Sequence, residues 1–195
     1  MSSFYGEQQR VLQDQFDSRG IADVLEAVIV QPEINDEAAA FIESRTFFFL
    51  STVNAHGHPT VSHKGGAAGF VRVVDRTTIV FPSYDGNGMF VSLGNALVNP
   101  MVGLLCIDFE RGRRLRIHGR ASVPAEPPFR FEGAQLVVQV DVTEVFPNCP
   151  RYIHRRTLVE ASPFVPRDGC ETPVPEWKRS PLAQGYLAKG DPASE

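Results

Sequence analysis

Apolar residues recur at helical spacing along the first 45 residues of the chain. One apolar stripe falls within residues 11–16 and a second within residues 21–28, each at intervals typical of a helix face. Asn35 is a suitable N-cap for a third helix, whose first turn carries two acidic residues that favour the helix dipole. The pattern therefore predicts a helical N-terminal segment over residues 1–45.

From Thr46 onward the pattern changes to short β-branched and aromatic runs separated by turns. About six such strands, mostly joined by short connections, favour an antiparallel barrel or sandwich over residues 46–158. One helix, from Met89 to Val98, interrupts the strands, and a second short helix is predicted over PRYIHRRTLVE. The last stretch, residues 159–195, is rich in proline, glycine and charge, which predicts an extended arm.

Composition narrows the class of protein. The chain has 195 residues, of which 43% are hydrophobic, as in a single domain with a packed core. The net charge of −4, with both signs mixed along the chain, offers no basic face for nucleic acid. No apolar run approaches the roughly 18 residues of a membrane span, and the N-terminus lacks a secretory signal pattern. We therefore expect a cytoplasmic protein without membrane or nucleic-acid partners.

The three cysteines are scattered and do not form a disulfide framework. Cys106 lies in the apolar run LLCIDF, where we expect it to be buried, and Cys149 and Cys170 are expected to be structural or neutral. Neither the His56–His58 turn nor the segment NCPRYIHRR supplies the second close pair of ligands that a metal site needs. We therefore predict no metal site.

A glycine-rich loop leads directly into the predicted mid-chain helix. The loop is Asp85-Gly86-Asn87-Gly88, and backbone N–H groups at such a helix start form an anion site together with the helix dipole. Asn87, Ser92 and Asn95 add side-chain donors in or near the first turn. The alternative is an ordinary turn followed by a capped helix.

A second candidate segment is HPTVSHKGGAAGF. On a strand, Ser62 and Lys64 share one face while His63 takes the other. The glycines that follow allow a flat ligand to approach the backbone, and Lys64 offers a positive charge for a phosphate. The alternative is a solvated lysine beside a flexible loop. Farther on, Arg114, as part of an alternating strand, faces the solvent, a dimer surface or one wall of an anion site.

These segments together resemble the pyridoxamine 5′-phosphate oxidase-like proteins that bind flavin nucleotides. The resemblance covers residues 47–154 and rests on FFFLSTVNAHGHPTVSHKGG, GFVRV, DGNGMFVSLGNALVNP, VGLLCIDFERGRRLRIHGRA and VFPNCPRYIH. It implies a six-stranded antiparallel split β-barrel with flanking helices, and FMN in a cleft between the two protomers of a homodimer. It points to a flavin-nucleotide-binding branch rather than to the oxidase of vitamin B6 synthesis.

The resemblance also implies which residues hold the cofactor. Those expected near the flavin or its ribityl phosphate are Ser62, Lys64, Gly65, Phe81, Pro82, Asn87, Gly88, Met89, Ser92, Asn95 and Arg114. Two departures matter. Val91 and Ser92 stand where the B6 enzymes carry an Arg-Lys pair on the phosphate, and the C-terminal VPEWKRSP lacks the segment that holds pyridoxal phosphate in those enzymes. We therefore do not predict oxidation of pyridoxamine phosphate.

The function that follows is an FMN-dependent oxidoreductase of unspecified substrate, with no side chain that stands out as a catalytic acid or base. One alternative is a flavin- or haem-binding protein without turnover, with His63 or His154 as candidate haem ligands. The other is a deazaflavin-dependent reductase. The expected dimer surfaces are the Arg114 strand, the aromatic segment around Phe4 and Tyr5, and the arm that contains Trp177.

Overall fold

The computed structural model describes residues 4–167 and 169–194. Residues 1–3, 168 and 195, which fall within the predicted helical segment and C-terminal arm, lie outside the described residues. The chain divides into two compact units, one up to Thr157 and one from Leu158 to the C-terminus.

The first unit consists of seven strands and four helices. The strands are β1 (Phe47–Val53), β2 (Pro59–Gly65), β3 (Arg72–Asp75), β4 (Thr78–Tyr84), β5 (Met101–Asp108), β6 (Arg113–Ser122) and β7 (Ala134–Asn148). The helices are α1 (Glu7–Gln15), α2 (Arg19–Ile29), α3 (Asp36–Glu43) and α4 (Val91–Val98). All strand pairs are antiparallel, in the order β2-β1-β5-β6-β7-β4-β3.

This sheet corrects two expectations. It contains seven strands rather than about six, with β3 at one edge paired only with β4, and it is an open sheet rather than a closed barrel. The sheet nevertheless curls over its inner face. The rings of Phe48 on β1 and Phe81 on β4 lie 4.9 Å apart between centroids, although three strands separate β1 from β4. Both side chains are fully buried, so the core lies inside the curl.

The alternation of side chains explains which face of each strand meets the core. Along β6, Leu115, Ile117 and Ala121 are buried while the intervening residues are more exposed, as expected for a period of two. Gly119 continues the buried face at a bulge between β6 and β7. A Cβ there would lie 2.5 Å from the carbonyl oxygen of Asp141, so the close approach of the two strands requires glycine.

The N-terminal helices form as the sequence predicts. Asn35 caps α3, its Oδ1 accepting a hydrogen bond from the backbone N–H of Ala38 at 2.8 Å. The apolar stripe of α2, by contrast, is largely exposed within the described chain. The helix predicted over PRYIHRRTLVE is wrong, because a turn at Arg151 and Tyr152 leads into a segment without regular secondary structure.

The second unit contains one short 3₁₀-helix, Glu176–Arg179. Within it, Lys178 is almost fully buried, and its Nζ lies 2.6 Å from Oδ2 of Asp191. Trp177, expected at a dimer surface, is half-exposed beside Lys178. No helix among residues 4–167 and 169–194 combines the length and apolar character that a membrane span needs.

Candidate functional site

A pocket of about 320 Å³ lies where β2, the end of β4 and the start of α4 meet. It is lined from β2, from the loop before α4, from the first turn of α4 and from two flanking strands. The lining residues are Ser62, Lys64, Ser83, Tyr84, Gly86, Asn87, Gly88, Met89, Phe90, Val91, Ser92, Leu93 and Gln135. We call this the β2–α4 pocket. Its volume is within the lower range of small-molecule sites, about 300–1,000 Å³.

The loop before α4 turns sharply at two residues with positive φ. Gly88 has φ +72°, which glycine adopts without strain, and Phe90 has φ 47° as the N-cap of α4. Between them, the backbone N–H of Met89 donates to Oδ1 of Asn87 at 3.1 Å. A left-handed non-glycine residue is uncommon, and such residues cluster at ligand sites. The loop is therefore held in a specific conformation at the mouth of the pocket.

The first turn of α4 has free backbone donors. No side chain caps the helix, and Gly94 N–H is the first to reach a helical carbonyl, that of Phe90, at 2.8 Å. The amides of Val91, Ser92 and Leu93 therefore have no partner within the helix. These three residues also line the pocket. The uncapped amides and the positive end of the helix dipole favour an anion here.

Ser62 and Ser92 connect β2 to this helix start. Their Oγ atoms are 2.9 Å apart, within hydrogen-bond distance. Ser92 is buried, and Ser62 is half-buried on the same face of β2 as Lys64. The contact holds the strand that carries Lys64 against the first turn of α4.

Lys64 is the cation of the pocket. Its side chain is half-buried and forms no ion pair or hydrogen bond with any described residue, and burial lowers the pKa of its ammonium group. His63 lies on the opposite face of β2, with its ring stacked 5.5 Å from the ring of Phe47. Ser62 and Lys64 therefore share one face of β2 and His63 takes the other, as the sequence predicted.

The donors of this pocket fit a phosphate group. A half-buried, unpartnered ammonium and an uncapped helix start both favour a dianion over a neutral ligand. A Cβ on Gly86 or Gly88 would meet no atom within 4 Å, so the loop glycines leave open space at the mouth. Met89 and Phe90 are partly exposed there and provide apolar surface. The residues present therefore fit a phosphorylated ligand with an apolar ring system.

The structure brings together six of the residues predicted to bind the cofactor. Those that line the β2–α4 pocket are Ser62, Lys64, Asn87, Gly88, Met89 and Ser92. Five others do not line it. Gly65 is at the end of β2, where a Cβ would meet the ring of His63 at 2.8 Å. Asn95 donates instead to Oγ1 of Thr52 at 3.2 Å, one turn farther along α4.

The remaining three lie elsewhere. Phe81 belongs to the core, and Pro82 is also buried in β4. Arg114 lines a different cavity, where its Nη2 donates to the carbonyl of Cys149 at 2.9 Å. Contacts of Gly65, Phe81, Pro82, Asn95 and Arg114 with a cofactor stay predictions that this pocket does not support.

Sequence reasoning missed several lining residues. Ser83 and Tyr84 line the pocket because β4 continues two residues beyond Pro82. Burial raises the pKa of the Tyr84 hydroxyl. Gln135 comes from β7, and no local signal marks it. Only the pairing of β7 with β4 brings Gln135 to this place, where its Nε2 donates to Oδ1 of Asp85 at 3.2 Å.

The protein thus combines a curled antiparallel sheet with a pocket at a helix start that is suited to a phosphorylated ligand. The family model for pyridoxamine 5′-phosphate oxidase matches residues 34–163, well over half of the chain. The protein therefore belongs to the pyridoxamine 5′-phosphate oxidase-like family, as the sequence motifs predicted.

Solved structures with a similar fold come from several bacteria. HupZ of Group A Streptococcus is 17% identical, covers 58% of this chain and 93% of its own, and has a TM-score of 0.46. HutZ, a haem storage protein of Vibrio cholerae, is 17% identical, with coverages of 58% and 93% and a TM-score of 0.42. An FMN-binding protein of Syntrophomonas wolfei is 9% identical, with coverages of 72% and 96% and a TM-score of 0.41. No curated protein matches the sequence.

Proposed function

We propose that this protein is an FMN-binding flavoprotein that acts as an oxidoreductase, with the phosphate of FMN in the β2–α4 pocket. The proposal rests on one observation: Lys64 and the uncapped first turn of α4 line the same pocket. Each feature alone is common in proteins. Together, an unpartnered cation and free helix amides on one small pocket form a site for a doubly charged phosphate.

Each group has a separate role in this proposal. Lys64 supplies the positive charge, and the amides of Val91, Ser92 and Leu93 supply directed hydrogen bonds. One of the two hydroxyls of Ser62 and Ser92 donates a hydrogen bond to the oxygen of the other. The proton of the second hydroxyl remains available to the ligand. These groups bind and orient the nucleotide, which when bound supplies hydride or electron transfer.

The proposal includes a homodimer that completes the cofactor site. Met89, Phe90 and Val91 are exposed at the rim of the pocket, and Leu97 and Val98 are exposed farther along α4. Exposed apolar side chains in such numbers mark interaction surfaces. A second copy packed there would shield a flavin ring that extends beyond the 320 Å³ of the pocket.

The absorbance spectrum of the purified protein tests the choice of cofactor. We expect flavin bands that survive gel filtration after reconstitution with FMN, and a melting temperature that rises with FMN concentration. A Soret band instead would favour haem binding, and the single band of a deazaflavin would favour a deazaflavin-dependent reductase. If saturating FMN neither stays bound nor raises the melting temperature, the flavin proposal is wrong.

The oxidoreductase activity needs a separate measurement. We expect NADH, NADPH or another donor to reduce the bound flavin under anaerobic conditions, and an acceptor to reoxidise it, with both steps followed by flavin absorbance. A bound flavin that no donor reduces, although dithionite does, would identify a flavin-binding protein without turnover.

A further inference from the structure

Part of the β2–α4 pocket is lined by polar residues that take no part in the proposed phosphate site. They are Ser83 and Tyr84 at the end of β4 and Gln135 near the start of β7. We call these three residues the polar wall. None of them is charged, so their role must differ from that of Lys64, the cation of the same pocket.

The polar wall lies at an irregularity in the pairing of β4 with β7. Ser83 pairs with Leu136 and Tyr84 pairs with Ala134, so the register shifts by one residue and Gln135 has no partner on β4. Consecutive residues of a regular strand face opposite sides of the sheet, yet Ser83 and Tyr84 both line this pocket. A β-bulge redirects side chains in this way, and bulges are frequent beside functional sites. The shift therefore concentrates three polar side chains on one pocket.

The polar atoms of the wall are open to a ligand. The hydroxyls of Ser83 and Tyr84 form no hydrogen bond with any described residue, and neither oxygen belongs to the fully buried unsatisfied atoms of the described chain. Both residues are partly exposed. Gln135 donates through Nε2 to Oδ1 of Asp85 at 3.2 Å, which holds the amide and leaves its Oε1 as an acceptor. The wall thus offers two hydroxyls and one amide oxygen, all neutral.

The chemistry of the wall matches one part of the FMN molecule. A chain of hydroxyl-bearing carbons links the phosphate of FMN to its ring, and each hydroxyl can both donate and accept a hydrogen bond. Lys64 and the start of α4 line the same pocket of about 320 Å³ as the wall. With the phosphate beside Lys64, the chain is the part of the ligand that follows. A second phosphate fits the wall less well, because Gln135 holds the carboxylate of Asp85 beside it.

We propose that the polar wall binds the hydroxyl-bearing chain of FMN, and that Tyr84 determines the selectivity for this chain over other phosphorylated ring compounds. Lys64 and the start of α4 recognise the phosphate, whereas the polar wall recognises the chain. Two separate sets of residues therefore bind two parts of one ligand. This inference rests on the proposed function, since it takes the phosphate to lie beside Lys64.

Binding of three ligands to the full-length protein tests the proposal. FMN has both the chain and the phosphate, riboflavin has the chain without the phosphate, and phenyl phosphate has a phosphate and a ring without the chain. Quenching of flavin fluorescence gives the dissociation constants of FMN and riboflavin, and displacement of FMN gives that of phenyl phosphate.

Tyr84→Phe removes one neutral hydrogen bond to the chain. The dissociation constants of FMN and riboflavin should therefore both rise by about 2- to 12-fold, while that of phenyl phosphate stays unchanged. Lys64→Ala should weaken FMN and phenyl phosphate but not riboflavin. Tyr186→Phe is the matched control, because Tyr186 is 89% exposed in the second unit, and it should change none of the three.

Gln135→Leu is a second variant, at an exposed residue of the wall, and it should weaken the same two ligands as Tyr84→Phe. Melting temperatures without ligand show whether each variant retains the fold. A folded Tyr84→Phe variant with wild-type affinity for FMN would overturn the proposal, and so would an equal loss of FMN and phenyl phosphate, because Tyr84 would then contact the phosphate. Either result leaves the flavin site in place if Lys64→Ala still weakens FMN. Wild-type protein that binds neither FMN nor riboflavin would overturn the proposed function itself.

Discussion

The hydroxyl oxygens of Ser62 and Ser92 lie 2.9 Å apart, although 30 residues separate them along the chain. This contact links the strand that carries Lys64 to the helix start that offers free amides. The β2–α4 pocket therefore depends on two elements that are distant in sequence, and the geometry of the pocket depends on how firmly they are joined.

A double-mutant cycle on these two serines measures that link. Ser62→Ala should destabilise the fold by about 1–3 kcal/mol, because it leaves the buried hydroxyl of Ser92 unsatisfied. The double variant Ser62→Ala/Ser92→Ala should cost less than the sum of the single changes, since both partners are then absent. Denaturant unfolding gives the coupling energy, which we expect at about 0.5–1.5 kcal/mol. Strictly additive effects would show that the two hydroxyls do not interact.

Replacing Lys64 should weaken FMN binding selectively. Lys64→Ala removes the cation of the pocket, so we expect the dissociation constant of FMN to rise by about 10- to 150-fold. Fluorescence quenching of FMN on titration with protein provides the measurement. Lys189→Ala is the same change at an exposed position of the second unit, and Arg72→Ala removes a charge from β3 outside the pocket. Neither should change the affinity, and an unchanged Lys64→Ala variant would remove this residue from the site.

FMN binding should also weaken as the pH rises, and it should do so at a lower pH than a lysine with the usual pKa would give. Burial lowers the pKa of Lys64 below its usual 10.5, so the ammonium loses its proton, and its attraction for phosphate, in a window below that pH. Affinity should therefore fall as pH rises through this window. Titrations of wild type and Lys64→Ala in parallel separate this effect from ionisation of the flavin itself. Identical pH profiles for the two proteins would contradict the assignment.

The sequence predicted the strand and the helix start that form the site, but it did not predict every residue that lines the pocket. Periodicity placed Ser62 and Lys64 on one face of β2, and the glycine loop marked the start of α4, because these are local properties of the chain. Tyr84 was missed because nothing local shows that β4 continues past Pro82, a residue that often ends a strand. Gln135 reaches the pocket only through strand pairing, which a single sequence does not reveal.

The same distinction holds for the fold. The antiparallel strands and the Asn35-capped helix follow from pattern and capping chemistry, and the structure contains both. The openness of the sheet depends on its two edge strands, β2 and β3, which do not pair with each other. Arg114 and Asn148 likewise become neighbours only through the register of β6 and β7.

The three cysteines should differ sharply in reactivity toward iodoacetamide. Burial raises the pKa of the Cys106 thiol to about 12, so we expect no labelling of Cys106 in the folded protein. Cys149 is exposed, and a hydrogen bond from the backbone N–H of Arg151, with the nearby charges of Arg151 and Arg114, lowers its pKa below the usual 9.0. Its thiolate persists at lower pH, so its labelling should continue as the pH falls below 9.0.

Mass spectrometry of the labelled peptides over time gives the three rates. Cys149→Ser should abolish the fast phase, whereas Cys170→Ser should leave it intact. An Arg151→Gln variant in which Cys149 is labelled as fast as in wild type near neutral pH would show that this arginine does not activate the thiol.

The last prediction concerns the homodimer that we propose completes the flavin site. Leu97 and Val98 are 71% and 65% exposed near the end of α4, and exposed apolar side chains of this kind mark interaction surfaces. We expect light scattering to give a mass near twice the 21.5 kDa of one chain at micromolar concentration, since an obligate interface would bury more than about 2,000 Å². Two-fold pairing is the commonest form of such assemblies.

Charged substitutions locate that interface. Leu97→Glu/Val98→Glu places two carboxylates in the proposed contact, so the mass should fall toward that of one chain, and FMN should bind more weakly because its exposed edge loses cover. Val159→Glu is the control, since Val159 is 95% exposed in the second unit and far along the chain from α4. It should leave both mass and affinity unchanged. A wild-type mass near 21.5 kDa with flavin still bound would mean that one chain forms the whole site, and the exposed residues of α4 would then need another explanation.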